Sequence, residues 1–259
     1  MSTTCAQRIQ MLFRGARDTL AAMKLERILQ TQGFGSRREC RAIVRAGLVE
    51  IGGETVEDPF AEFDPQGLEF VVDGEVWPWH EHIYLMLHKP LDYECSRQPQ
   101  HHRSIYELLP PQFARRDVQS VGRLDVDTTG LLLLSDDGQF IHSWSSGKKR
   151  IPKCYEVGLR HPVSDAMLSA LRQGVQLNDE PAEIRAQACE ATGDHTLELV
   201  VTEGKYHQVR RMIAAAGNRV EILHRRSVGG LSLPEDLVAG DWRWMMADDL
   251  AALARFDPL

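Results

Sequence analysis

The sequence predicts an α+β chain in two parts: a small N-terminal α+β module over residues 23–79 and a mixed, largely antiparallel α/β domain over residues 80–259. Three observations lead there. A basic amphipathic helix is followed at once by short strands separated by Gly-containing turns. Strands and helices then interleave without a regular β-α-β repeat. A four-leucine run at 131–134 sits behind a sharp polar turn and reads as a buried strand.

The elements follow in order. Residues 1–22 show no clear element and lack the long apolar core of a secretory signal; they are expected to form a disordered extension, with translation starting at Met23. Leu25, Ile28 and Leu29 have helical spacing, stopped at Gly33. Ser36-Arg37-Arg38-Glu39 forms a capping box in which Ser36 caps the helix and Glu39 reaches back to its start. Cys40, Ile43 and Val44 make that helix's apolar stripe, which leaves Arg37, Arg38, Arg41 and Arg45 largely outward. Short strands are expected near 49–51, 55–56 and 68–72, with Gly52-Gly53 and Asp73-Gly74 as turns. Residues 77–82, which include His80 and His82, read as a linker, with both histidines at the surface. Beyond it strands are expected at 84–87, 131–134, 155–159 and 197–201. Helices are expected at 165–172, capped by Ser164 and ended by Gly174, and at 207–216, ended by Gly217-Asn218.

Composition narrows the function. The chain has 259 residues, 43% hydrophobic and 26% charged, which are ordinary globular values. No apolar run approaches the roughly 18 residues of a membrane helix. Five scattered cysteines without a Cys-x-x-Cys pair argue against a disulfide framework or zinc knuckle and for a reducing cytoplasm. The formal net charge of −7 disfavours a nucleic-acid partner, but its distribution does not. Between Lys24 and Leu48 six basic residues face two acidic ones, and further basic clusters fall at Lys148-Lys149-Arg150 and Arg210-Arg211. Local basic faces on an acidic body suit a phosphate-backbone ligand. A solvated helix face explains the same arginines without any ligand.

The stretch Gly122-Arg123-Leu124-Asp125-Val126-Asp127-Thr128-Thr129-Gly130 places a carboxylate, Asp125, where a buried strand meets a surface turn. Rigid scaffolds position functional loop residues in this way. A hairpin whose Asp residues only shape the turn fits the pattern too. So does an imperfect EF-hand calcium loop, with Asp125, Asp127, Thr129, Gly130 and Asp136 at positions one, three, five, six and twelve; it lacks the bidentate Glu and the flanking helices. Three more features join Asp125: Lys153-Cys154-Tyr155 on a strand, Tyr206-His207-Gln208-Val209-Arg210 after a Gly turn, and His88-Lys89-Pro90 at a strand end.

On these residues the chain resembles the pseudouridine synthases, specifically the group that modifies ribosomal RNA and carries an N-terminal S4 RNA-binding domain. The S4 likeness rests on Leu25-Glu26-Arg27-Ile28-Leu29, Gly33, Ser36-Arg37-Arg38-Glu39, Gly47-Leu48-Val49 and Ile51-Gly52-Gly53. Gly122-Arg123-Leu124-Asp125 matches the catalytic motif, Lys153-x-Tyr155-x-Val157 the second motif and His207-Gln208-Val209-Arg210 the third. Within the group, Tyr206-His207-Gln208-Val209, Leu223-His224-Arg225 and Gly229-Gly230 look most like the small-subunit (16S) enzymes. Cys154 and His88 stand where Thr and Asn are common.

The resemblance implies Asp125 as nucleophile, Tyr155 as the face on which the target base stacks, and Arg210 as the cation paired with Asp125. It further implies that Arg123, Lys89, Lys153 and His207, with Arg37, Arg38 and Arg41 of the basic helix, contact the substrate. Uridine and pseudouridine are isomers, so no cofactor, metal or ATP is implied. The implied partner is 16S rRNA in an assembling small subunit, met by a cytoplasmic monomer, with no membrane. A 23S rRNA substrate and a non-catalytic rRNA-binding assembly factor remain as alternatives.

Overall fold

The computed structural model describes residues 21–256, so nearly all of the expected N-terminal extension lies outside the described residues. The chain divides into two compact units. One comprises the residues up to Ile83 together with 109–119; the other comprises 84–108 and the residues from Ser120 onward.

The first unit is built on two helices, Leu25–Thr31 and Arg37–Arg45. The second begins with the anticipated capping box: the Ser36 side chain accepts from the Glu39 amide at 3.3 Å, and the Ser36 amide donates to Glu39 at 2.6 Å. A four-stranded antiparallel sheet follows, in the order Glu54–Thr55, Val49–Ile51, Glu69–Val72, Glu75–Pro78. Leu25, Ile28, Leu29, Cys40, Val44 and Phe70 are fully buried or nearly so between helices and sheet. Trp77 and Trp79, read from sequence as linker, pack against this core instead. An edge-to-face series then runs Phe34, Trp77, Phe113, with Phe113 on the short helix Pro111–Arg115. Gly33, at φ +87°, lies so close to the Gln112 carbonyl that a Cβ there would collide with it. A distant segment of sequence thus completes the small unit.

The second unit centres on one large sheet. Its main path runs Ala188–Gly193, Thr196–Val201, Lys153–Leu159, Val220–Val228, Thr129–Ser135, Tyr84–Lys89, Trp242–Trp244. Every neighbouring pair is antiparallel except one: Thr129–Ser135 runs parallel to Val220–Val228. Leu131 to Leu134 are all buried, so this strand is covered on both faces, as its unbroken leucine run requires. Thr129 and Gly130 belong to the strand, which rules out an EF-hand loop at the positions that resembled one. A helix, Gly138–Ser145, follows the strand, with the Asp137 carboxylate accepting from the Gln139 amide at 2.8 Å. The strands at 153–159 and 196–201 and the helix Asp165–Gln173 lie where they were expected.

Register places the functional end of the sheet. Gly130 pairs with Lys89 on one side and Arg225 on the other, and Arg225 pairs with Tyr155. Four neighbouring strands therefore carry Lys89, Gly130, Arg225 and Tyr155 in one row. Gly130 has φ +111°, and a Cβ there would run into the backbone of Arg225. Only glycine allows the parallel pair to close at this row.

Candidate active site

The loop after Val121 carries Asp125 and leads into the central strand. Its rigidity can be accounted for carbonyl by carbonyl. Leu124 O accepts from the Cys95 thiol at 3.4 Å and Asp125 O from the Thr128 amide at 3.0 Å. Val126 O accepts from the Asp92 amide at 3.0 Å and from Lys89 Nζ at 3.3 Å. Asp127 O accepts from Arg210 Nη2 at 3.0 Å, and Thr128 O from Lys89 Nζ at 3.0 Å. Every carbonyl from 124 to 128 is engaged, so the loop has little freedom to rearrange.

Lys89 is the hub of that arrangement. It is fully buried, and its ammonium donates a third bond to Pro90 O at 2.9 Å. Its three donors are thus spent on three backbone carbonyls. Burial lowers its pKa, while Cys95, Asp127, Asp125 and Asp92 nearby pull the other way. The sequence reading put Lys89 among the substrate contacts. The structure places it beneath the loop, where no phosphate can reach it.

The loop opens on a cavity of about 450 Å³, within the usual range for a small-molecule or single-nucleotide site. Asp125, Arg123, Lys153, Tyr155, His207 and Arg210, six of the residues singled out from sequence, all line it. So does Arg225, which the sequence reading did not assign to the site. Arg225 is buried and donates from Nε to Leu131 O at 2.8 Å. An arginine within the polar run His224-Arg225-Arg226-Ser227 gives no sign of burial; the register beside Gly130 creates it. Around the cavity the cations Arg123, Lys153, Lys205, Arg210 and Arg225 outnumber the carboxylates Glu94, Asp125 and Glu203. An acidic chain thus presents a cationic pocket.

The geometry corrects one pairing. Arg210 forms its ion pair with Asp127, at 2.9 Å, and grips the carbonyl of the same residue. The basic group within reach of Asp125 is His207, whose Nε2 lies 3.5 Å from Oδ1. His207 precedes the helix Gln208–Ala215 and holds a left-handed backbone at φ +47°. Such a conformation in a residue other than glycine costs about 1–3 kcal/mol, and residues of this kind cluster at functional sites. Arg210 therefore fastens the loop, and its Nε is buried without a hydrogen-bond partner beside the cavity.

Lys153 donates to Ile151 O at 3.0 Å; its burial and the charge of Arg225 lower its pKa to about 8. Tyr155 is 8% exposed, with its ring on the cavity wall. Arg123 is exposed at the rim. In the first unit, Arg37 donates to Gln30 at 3.3 Å. Arg41 is bound to Glu26 and lies 5.2 Å from the Phe60 ring centre, which leaves its guanidinium less available than an outward helix face suggested. Glu26 has its pKa lowered by this hydrogen bond to Arg41.

A scaffolded carboxylate in a cationic pocket with an aromatic wall can act as a nucleophile toward a flat, uncharged base held on an anionic backbone. Known proteins agree in kind. Residues 83–215 match the family model described as RNA pseudouridylate synthase, and residues 23–59 match the S4 domain. An uncharacterized RNA pseudouridine synthase of Bacillus subtilis, YtzG, is 38% identical over 89% of this chain and 98% of its own length. The ribosomal small subunit pseudouridine synthase A of Escherichia coli (strain K12) is 34% identical over 89% of this chain and all of its own. A solved pseudouridylate synthase structure superposes with a TM-score of 0.63 at 34% identity, covering 89% of this chain and 99% of that one.

Lys89→Met removes the buried cation and leaves the Val126 and Thr128 carbonyls short of a donor, at an expected cost of about 2–5 kcal/mol. Denaturant melts measure that loss, and amide hydrogen exchange across 121–129 should accelerate. An unchanged midpoint with unchanged exchange contradicts the clamp.

Proposed function

We propose, for a chain that belongs to the RNA pseudouridylate synthase family and carries an S4 domain, that it converts one uridine of small-subunit (16S) ribosomal RNA to pseudouridine with Asp125 as nucleophile. The observation behind this reading is the fully engaged loop that holds the Asp125 carboxylate at a cavity walled by Tyr155. The choice of RNA rests on relatives named as small-subunit enzymes, of whose length this chain spans 98% or more.

The chemistry follows from the residues. The target uridine leaves its stack at a cost of roughly a few kcal/mol and enters the cavity with its ring against Tyr155. Arg123, exposed at the rim, fills the space it vacates. Asp125 attacks the sugar or the pyrimidine ring, the N1–C1′ bond breaks, and the base turns in place. A C5–C1′ bond then forms as the bond to Asp125 is released, and the proton lost from C5 is matched by one taken up at N1, so that substrate and product remain isomers. Arg210 acts through Asp127 by fixing the loop, and His207 is the group positioned to pair with Asp125. Lys153 and Arg225 supply positive charge for the backbone. Arg37 and Arg38 hold phosphates, which positions the RNA without reading its sequence. Arg41 braces that helix through Glu26. The reading is of a monomer acting on an assembling subunit in the cytoplasm.

Two outcomes test this. With unmodified 16S transcript and purified protein, Asp125→Asn should lower pseudouridine formation at least about 10³-fold while RNA binding persists. Turnover near that of the wild type removes Asp125 from the chemistry. The Lys153 ammonium is cationic below about 8 and neutral above it, so affinity for the transcript should fall several-fold as pH rises through that value. Lys153→Arg stays charged and should abolish this alkaline loss. If the arginine variant keeps the same limb, Lys153 does not carry it.

A further inference from the structure

Tyr206 is the most exposed large apolar side chain among the described residues, at 73%, and it sits on the rim of the catalytic cavity. It is nonetheless not loose. Its ring stacks face to face on the His207 imidazole, with centroids 3.8 Å apart and planes 18° from parallel. Its carbonyl accepts from Arg211 Nη1 at 3.3 Å, and Arg211 is tied in turn to the Asn178 carbonyl. The adjacent Lys205 amide donates to Gln208 at 3.0 Å. The left-handed backbone at His207 turns its imidazole toward Asp125 on one side and Tyr206 on the other. Carboxylate, imidazole and phenol therefore follow one another outward from the cavity, and the last ring offers a flat face to solvent.

We propose that the Tyr206–His207 pair is a stacking platform for the RNA base next to the target uridine. This rests on the proposed reading of the cavity as the place where that uridine is flipped. A flipped nucleotide stays joined to its neighbour by a single phosphate, so the neighbouring base must lie at the cavity rim, where Tyr206 stands. Arg123 is exposed on the same rim. Stacking on a ring needs no hydrogen-bond readout and tolerates any base, with larger purine faces favoured. The platform accordingly orders the flanking strand and biases target choice toward uridines with a purine neighbour. Tyr155 is a different surface: it is buried inside the cavity and meets the target base itself.

The test uses single-turnover pseudouridine formation on 16S transcript by the wild type and by Tyr206→Leu, Tyr206→Phe and Tyr206→Trp. Loss of one base–aromatic stack should raise the protein concentration for half-maximal rate roughly tenfold in Tyr206→Leu, with most of the loss in that constant and not in the maximal rate. Tyr206→Phe and Tyr206→Trp should restore it, because they keep the ring. A 2-aminopurine placed beside the modified uridine should be quenched on binding wild type and not on binding Tyr206→Leu. An unchanged half-saturation in Tyr206→Leu overturns the platform. So does a Phe variant as weak as Leu, which assigns the effect to the hydroxyl. A fall confined to the maximal rate also overturns it, since Tyr206 then acts through His207 on Asp125. If the wild type modifies neither the transcript nor a reconstituted small-subunit assembly intermediate, the proposed function fails; filter retention of the transcript by the same variants still decides the platform.

Discussion

A single buried ammonium organises the catalytic unit. Lys89 sits at the end of one strand with no access to water and gives its three donors to carbonyls of Pro90, Val126 and Thr128. Burying a cation is costly unless it is paired and fully hydrogen-bonded, so the loop must keep those carbonyls in place for the fold to tolerate the charge. The dependence runs both ways. The loop holds Lys89, and Lys89 holds the loop that presents Asp125. Gly130 makes this possible from the neighbouring strand, since a Cβ there would collide with the Arg225 backbone and part the parallel pair.

Arranged on that support, charges divide into two tasks. Asp127 and Arg210 pair across the loop and the helix Gln208–Ala215, which secures geometry. Asp125 and His207 meet at the cavity, apart from the pair that secures the loop. The remaining cations, Arg123, Lys153 and Arg225, line the cavity with no ion pair to a carboxylate among the described residues, which gives a chain of net charge −7 a cationic pocket. Burial, with the charge of Arg225, holds the Lys153 pKa down to about 8, so the charge of this pocket changes with pH.

What could be read in the sequence was local. The capping box at Ser36 and Glu39, the leucine run at 131–134 and the Gly-ended helix at 165–173 each carry their signal within a few residues, and the structure has them there. The motif Gly122-Arg123-Leu124-Asp125 is legible for the same reason: the loop and its strand adjoin in sequence. What escaped was set by distant partners. Lys89 reads as a surface cation at a strand end until it meets carbonyls 37 and 39 residues away. Arg225 reads as one more polar residue of Val220–Val228 until the parallel register buries it. Arg210 faces a turn with two carboxylates two residues apart, and only the fold assigns it to Asp127. Asp137-Gly138 carries the same dipeptide signal whether it closes a hairpin or caps a helix, and packing chose the cap.

Family membership and geometry together bring the account to one central claim: a loop fixed from beneath presents Asp125 to a single uridine of small-subunit rRNA. Mapping pseudouridines in both ribosomal RNAs of the native host, with the gene deleted and then restored as wild type or as Asp125→Asn, addresses that claim most directly. The account predicts that one 16S pseudouridine disappears on deletion, returns with the wild type and stays absent with Asp125→Asn. A full set of 16S pseudouridines in the deletion strain, or a loss confined to 23S rRNA, would contradict it.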